Sequence, residues 1–113
     1  MAGVDDLVQT FRIAAIAKGD FAEPSHDREF FARMRASLHA IRELGEPGCA
    51  ALRALLLDSS PHVRCWVAAD LLTRGDPDAR RVLQELSVLP GLVGFSASRT
   101  LNEFDAGRLL KPF

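Results

Sequence analysis

The sequence predicts an all-α fold, a short right-handed α-solenoid of about six helices. Apolar residues recur at helical spacing through most of the 113 residues. β-Branched residues are scattered, and no stretch alternates apolar and polar for long. The segments 45–56 and 75–86 align with an offset of thirty residues, and each begins with Gly, an acidic residue and Pro. Such a repeat is typical of stacked helical hairpins whose apolar stripes face one another.

The first two helices are expected at about 4–18 and 25–44. Each has apolar residues at helical spacing, and Gly19 and Gly45 provide the stop signals. The stripe of the second helix that should face the core consists of Phe31, Met34, Leu38 and Ile41.

Proline and capping residues mark the next three helices, which are expected at about 47–57, 61–74 and 77–87. Each has Pro near its first position, where the missing N–H costs no hydrogen bond. Ser60 and Asp76 precede two of these prolines, and side chains of this kind cap helix N-termini.

The C-terminal part is predicted to contain a loop and then a last helix. Residues 89–94, LPGLVG, read as a loop because of one Pro and two Gly. The sixth helix is expected at about 96–105, and three of its residues should point inward: Ala97, Leu101 and Phe104. The tail can fold back through Leu109, Leu110 and Phe113.

A chain of this length is expected to form a single domain over 1–113. Hairpin repeats would then occupy about 25–57 and 61–87. The helices at 4–18 and 96–105 would cap the apolar ends of the solenoid.

Composition excludes several classes of protein. Apolar residues make up 48% and charged residues 26%, as in a globular chain. A net charge of -1 argues against nucleic-acid binding, although twelve of the fourteen basic residues are Arg and can form a local stripe. No apolar run approaches the roughly 20 residues of a membrane span. Asp5, Asp6 and the lack of a basic leader argue against a secretory signal, so a cytoplasmic location is expected.

Residues 58–86 resemble a HEAT repeat. The family pattern has an Asp before the first helix, a Pro at its start, Val-Arg, two small residues and a Leu. A Gly-Asp-Pro turn follows, and then an Ala and a Leu on the second helix. The matching residues are Asp58, Pro61, Val63, Arg64, Val67, Ala68, Leu71, Gly75, Asp76, Pro77, Ala79 and Leu83. Val67 stands where the family more often has Ala.

Two further segments, VRCWVAADLL (63–72) and GLVGFSASRTLNEFDAGRLLKP (91–112), resemble a compact bacterial group built on this repeat. It is the domain of unknown function family numbered two thousand and nineteen. The resemblance implies a small bacterial protein. Some HEAT-like proteins of this size are regarded as immunity partners of bacterial toxins, so analogy of fold and size suggests such a role.

The resemblance implies a structural role for Asp58 and Arg64, since this pair usually braces one turn of a HEAT repeat against the next. Trp66, Asp70 and Arg74 have the composition of an interface hot spot on one side of the fourth helix. A second interpretation stays open, in which Trp66 covers a neighbouring helix and the other two form an i,i+4 pair.

A polar face on the fifth helix is another candidate for a partner. The second helix of a HEAT hairpin usually lines the concave surface, which here would present Arg80, Arg81, Gln84 and Glu85 to an acidic partner. A plain solvated face is the alternative for these residues. The second helix of the chain has a second polar side with Arg28, Arg35, His39 and Arg42.

No residue pattern predicts catalysis, a metal or another cofactor. The three histidines, His26, His39 and His62, are not spaced i,i+3 or i,i+4. Cys49 and Cys65 lie in apolar helical patterns and are expected to be buried free thiols.

The sequence therefore favours a non-catalytic protein-binding module, most concretely an immunity or antitoxin-like protein that neutralises a toxin or effector. A binder of the nucleic-acid backbone and a scaffold or homo-oligomeric subunit are the alternatives. The sequence leaves the partner, the binding face and the choice between monomer and homodimer open.

Overall fold

The computed structural model describes residues 3–20 and 24–109, and every regular element in these two ranges is helical. The predicted all-α class is therefore confirmed. The helices are α1 (Val4–Asp20), α2 (Pro24–Glu43), α3 (Glu46–Ala54), α4 (Pro61–Thr73), α5 (Pro77–Ser87) and α6 (Gly91–Asp105), with a 3₁₀ turn (Leu55–Leu57) after α3. None of these helices is long and apolar enough to cross a bilayer.

The chain divides into two compact units, each with three helices that contact one another. The N-terminal unit contains α1, α2 and α3 and extends to Leu55. The C-terminal unit begins at Leu56 and contains α4, α5 and α6. Stacking of hairpins into a solenoid remains a prediction.

The predicted starts of α4 and α5 are confirmed by their caps. The Ser60 hydroxyl accepts a hydrogen bond from the backbone N–H of Val63 at 3.4 Å. The Asp76 carboxylate accepts one from the N–H of Asp78 at 2.9 Å. Both side chains satisfy a backbone donor that the first turn of a helix leaves without an intrahelical partner. Gly75 has a φ of 86° just before the second cap, a conformation that glycine adopts without a steric cost.

The core of the N-terminal unit is formed mainly by α1 and α2. Three residues of the predicted stripe on α2 are fully buried, whereas Phe31 is only half-buried. The buried apolar residues of these two helices are Phe11, Ala14, Ala15, Met34, Leu38 and Ile41. Removing such side chains from water is the main favourable term in folding.

The core of the C-terminal unit is built around α4, which packs against both α5 and α6. Two of its helices supply most of the buried apolar side chains, and α6 adds Ala97. Those of α4 and α5 are Val63, Val67, Ala68, Ala69, Leu71, Leu72, Ala79, Val82, Leu83 and Leu86.

The thirty-residue repeat holds for the buried Leu–Val pair and fails at Cys49. Leu52 and its counterpart Val82 are both buried. Cys49 is exposed although its counterpart Ala79 is buried, so the expectation of a buried thiol is wrong there. The short helix α3 buries only a narrow stripe through Gly48 and Leu52, and Cys49 lies about 100° away from Gly48.

The predicted loop at 89–94 is confirmed only at residues 89 and 90, because α6 already begins at Gly91. The two glycines serve the helix. Gly91 has a φ of 82°, which lets the chain turn into the first helical residues. A Cβ on Gly94 would lie 1.8 Å from the carbonyl oxygen of Leu89, so only glycine lets the helix approach the preceding turn this closely.

The inward face of α6 also differs from the expectation. Of the three residues predicted to point inward, Ala97 is fully buried, Leu101 is half-buried and Phe104 is exposed. The buried residues of α6 are Gly94 and Ala97 in its first half, whereas Phe104 lies in its last turn. In the tail, the N–H of Leu109 donates to the Glu103 carbonyl at 3.1 Å. The proposed contacts of Leu110 and Phe113 lie outside the described residues.

Candidate interaction surfaces

Asp58 and Arg64 join the loop before α4 to the first turns of that helix. The Asp58 carboxylate accepts a hydrogen bond from the N–H of Ser60 at 2.9 Å. The Arg64 guanidinium donates to the carbonyl oxygen of Asp58 at 2.7 Å. Both bonds hold the entry to α4 in one geometry.

The side chain of Asp70 is fully buried, which contradicts its place in an interface hot spot and agrees with the alternative of an i,i+4 pair with Arg74. Its carboxylate accepts a charge-assisted hydrogen bond from Nε of Arg74 at 3.3 Å. The helix α4 contacts both α5 and α6, and a residue on either of these sides loses access to solvent. Trp66 is half-buried, so an open Trp-Asp-Arg patch does not form on α4.

The predicted patch on α5 is partly used within the C-terminal unit. Arg80 forms an ion pair with Asp105 of α6 at 2.5 Å, and its guanidinium lies 5.6 Å from the centre of the Phe104 ring. The hydrogen bond from this guanidinium holds the pKa of Asp105 below its usual range. Arg81 pairs with Asp78 on its own helix at 3.0 Å.

The remaining exposed residues of this patch are Gln84 and Glu85. They lie on one face of α5 with Arg81, which is also exposed. Arg80 therefore fastens α6 to α5, whereas the other three side chains stay accessible.

An exposed apolar surface lies where α5 leads into α6. Val88 is 82%, Leu92 70% and Phe95 63% exposed, and Leu89 is exposed between them. We call these four residues the apolar corner. Sequence reasoning missed this surface because the segment was interpreted as a loop. The signal was present as five large apolar residues within 88–95 with no charge among them.

Polar residues continue the apolar corner along α6. Arg99 and Asn102 are exposed. Arg99 lies seven residues after Leu92 and Asn102 seven residues after Phe95, which places each about 20° from its apolar counterpart around the helix axis. The exposed side of α6 therefore changes from apolar at its first turns to polar near its end.

The polar side of α2 in the N-terminal unit is accessible. Arg28, Arg35 and His39 are exposed, and Arg42 is half-buried. The side chain of His26 lies outside the described ones.

The two thiols are in different environments. Cys49 is exposed, whereas burial raises the pKa of the half-buried Cys65 to about 11 and so keeps that thiol protonated. Among the described side chains, no group of three or more His, Cys, Asp or Glu residues is arranged to hold a metal ion.

Comparison with protein-family models, with curated proteins and with solved structures finds no match to this chain.

Proposed function

We propose that the chain is a non-catalytic protein-binding module, and most concretely an immunity-like protein that binds and neutralises a bacterial toxin in the cytoplasm. The observation that carries this proposal is the apolar corner of the C-terminal unit, where Val88, Leu92 and Phe95 are each more than half exposed. Large apolar side chains grouped on a surface are typical of protein interaction sites.

The apolar corner and its surroundings have the composition of an interface centre and its rim. Phe95 supplies an aromatic side chain that a partner pocket can enclose, and Leu92 adds apolar area beside it. Arg99 and Asn102 provide hydrogen-bond donors along the same side of the helix. Burial of apolar area contributes roughly 25 cal/mol per Å², and the polar residues fix the orientation of the partner.

The toxin as partner rests on an analogy: residues 58–86 resemble a HEAT repeat, and some HEAT-like proteins of this size are regarded as immunity partners of bacterial toxins. Occlusion of a toxin by a rigid helical surface requires no catalytic group on the binding protein. The side chains of the apolar corner are all hydrocarbon, which suits such a non-catalytic role.

A homodimer is the second candidate, because the apolar corner can also meet its own copy. Most soluble homo-oligomers use a self-complementary patch of this kind. Light scattering over a wide range of protein concentration separates the two candidates: a monomer at high concentration supports the toxin partner, and a dimer supports self-association.

The test is co-expression with the product of the adjacent gene. We expect rescue of growth and a stable complex in gel filtration. Leu92→Ser should weaken that complex about tenfold or more, because it places a hydroxyl in the apolar centre of the interface. Ile13→Ser is a matched control, since Ile13 is 66% exposed but lies in the N-terminal unit. Equal affinity of the Leu92→Ser variant and the wild type, with both folded by circular dichroism, would contradict the proposal.

A further inference from the structure

One side of α2 carries exposed cationic residues in a line. Arg28, Arg35 and His39 are separated by seven and four residues, which places them within about 40° of one another around the helix axis. Ala32, also exposed, lies between the two arginines. We call these four residues the arginine stripe.

The two guanidinium groups of the arginine stripe are not neutralised by the described part of the chain. Neither Arg28 nor Arg35 forms an ion pair or a side-chain hydrogen bond with a described residue. The carboxylate of Glu29, which follows Arg28 in the sequence, is already paired with Arg33 one turn further along the helix. Each stripe arginine therefore retains a planar set of N–H donors suited to a carboxylate.

We infer that the arginine stripe is a docking surface for an acidic helical segment of another protein. Seven residues of helix separate the two guanidinium positions by about 10.5 Å along the axis. A partner helix with carboxylates seven residues apart has the same spacing and charge of opposite sign. The small side chain of Ala32 lets a second helix come close between the two ion pairs.

The surroundings of the arginine stripe favour a protein partner over a nucleic acid. Ala32 and the half-buried ring of Phe31 put apolar surface beside the guanidinium groups, which suits an amphipathic helix. A phosphate backbone instead needs a broad positive field, and the net charge of the chain is -1. This inference concerns the N-terminal unit and other residues than the apolar corner, so it stands or falls separately from the proposed function.

The test uses a fluorescein-labelled, alanine-rich helical peptide of about three heptads with Glu at every seventh position. Anisotropy titration with the full chain should show binding at low salt that weakens as salt is added. The variant Arg28→Gln/Arg35→Gln should bind about fivefold more weakly, the effect expected for the loss of two exposed ion pairs.

The control variant is Arg81→Gln/Arg108→Gln, which makes the same change in net charge at two arginines that are each 66% exposed. We expect its affinity to stay within about twofold of the wild type. Three results would overturn the inference: no binding of the peptide by the wild type, equal losses in the two variants, or tighter binding of a duplex DNA than of the peptide. Circular dichroism and urea unfolding of both variants exclude a loss of fold as the cause.

Discussion

The N-terminal and C-terminal units use the same pair of glycines to pack their third helix, and they differ in the residues exposed to solvent. In each unit, a glycine with positive φ is followed three residues later by a glycine that has no room for a Cβ. Gly45 and Gly48 do this before and within α3, and Gly91 and Gly94 do it in α6. The third helix of each unit can therefore lie against the turn that precedes it.

The exposed positions beside these glycines differ between the units. Where α6 has Leu92 and Phe95, the corresponding positions of α3 carry Glu46 and Cys49. Packing restricts the residues that meet inside a unit, but it leaves the outward positions free to differ. The comparison indicates that the shared glycines have a structural role, whereas the exposed residues that differ between the units are the candidates for function.

The largest effect should come from closing the space at the two buried glycines. A Cβ on Gly48 would lie 1.7 Å from the carbonyl oxygen of Ile41, and one on Gly94 would lie 1.8 Å from that of Leu89. Gly48→Ala and Gly94→Ala should each lower the free energy of unfolding by about 2–3 kcal/mol, because backbone must move. Urea unfolding measures this.

Gly3→Ala is the control for these variants, since nothing lies within 4 Å of a Cβ there. If Gly48→Ala and Gly94→Ala lose no more stability than the control, close packing does not require glycine at these two positions. A loss at only one of the two glycines would break the equivalence of the units.

The next largest effect is expected in the rates at which the cysteine thiols of the two units react. The exposed Cys49 belongs to the N-terminal unit, whereas the Cys65 thiol of the C-terminal unit has a pKa raised to about 11 from 9.0. At pH 8 Cys65 should therefore carry about a hundredfold less thiolate than a thiol with the ordinary pKa of 9.0, and it should react correspondingly slowly with Ellman's reagent. Cys49→Ser and Cys65→Ser variants assign the two kinetic phases, and equal rates at the two thiols would contradict the difference in burial.

A third contrast concerns the one polar side chain that each unit buries among the described residues. Ser37 donates within its own helix, to the carbonyl of Arg33 at 2.8 Å, whereas Asp70 depends on a charged partner. Asp70→Ala should lower the free energy of unfolding by about 2 kcal/mol, and Ser37→Ala by less than about 1 kcal/mol. Thermal or urea unfolding compares the two, and similar losses would show that the buried carboxylate has no special role.

The smallest effect is expected at the ion pair between Arg80 and Asp105, because both side chains are exposed to water. The folded state lowers the pKa of Asp105, so the pair adds stability above the usual Asp pKa of about 3.9. That contribution is lost as the pH falls through the lowered value. Arg80→Gln should thus be slightly less stable than the wild type at pH 7, and the difference should vanish in acid. A difference that persists in strong acid, where the carboxylate is protonated, would argue against the carboxylate as the cause.

Most of the fold followed from local signals. Pro61 and Pro77 marked helix starts, and Ser60 and Asp76 act as the caps that their side chains suggested. Helix boundaries were predicted less well where glycine can either end a helix or permit close packing within one. In residues 89–94 glycine was interpreted as a sign of a loop, whereas the close packing at Gly94 requires it inside a helix.

The candidate site was predicted less well than the fold. Asp70 was considered for a surface by helical angle alone, but its side chain is fully buried. For Trp66 the interpretation that it covers a neighbouring helix was left open, and its side chain is half-buried. Arg80 was assigned to a partner and instead pairs with Asp105, twenty-five residues away in sequence. Neither the burial of Asp70 nor the pairing of Arg80 with Asp105 can be predicted from the spacing of residues along one helix.

The sequence by itself determined that the chain is helical, where most helices begin, and which face of α2 enters the core. These features depend on interactions within a few residues, through periodicity, capping and the fixed φ of proline. Only the tertiary structure decided that Asp70 is internal and that Phe95 is exposed. Burial depends on which other helices cover a residue, and the pattern along a single helix does not contain that information.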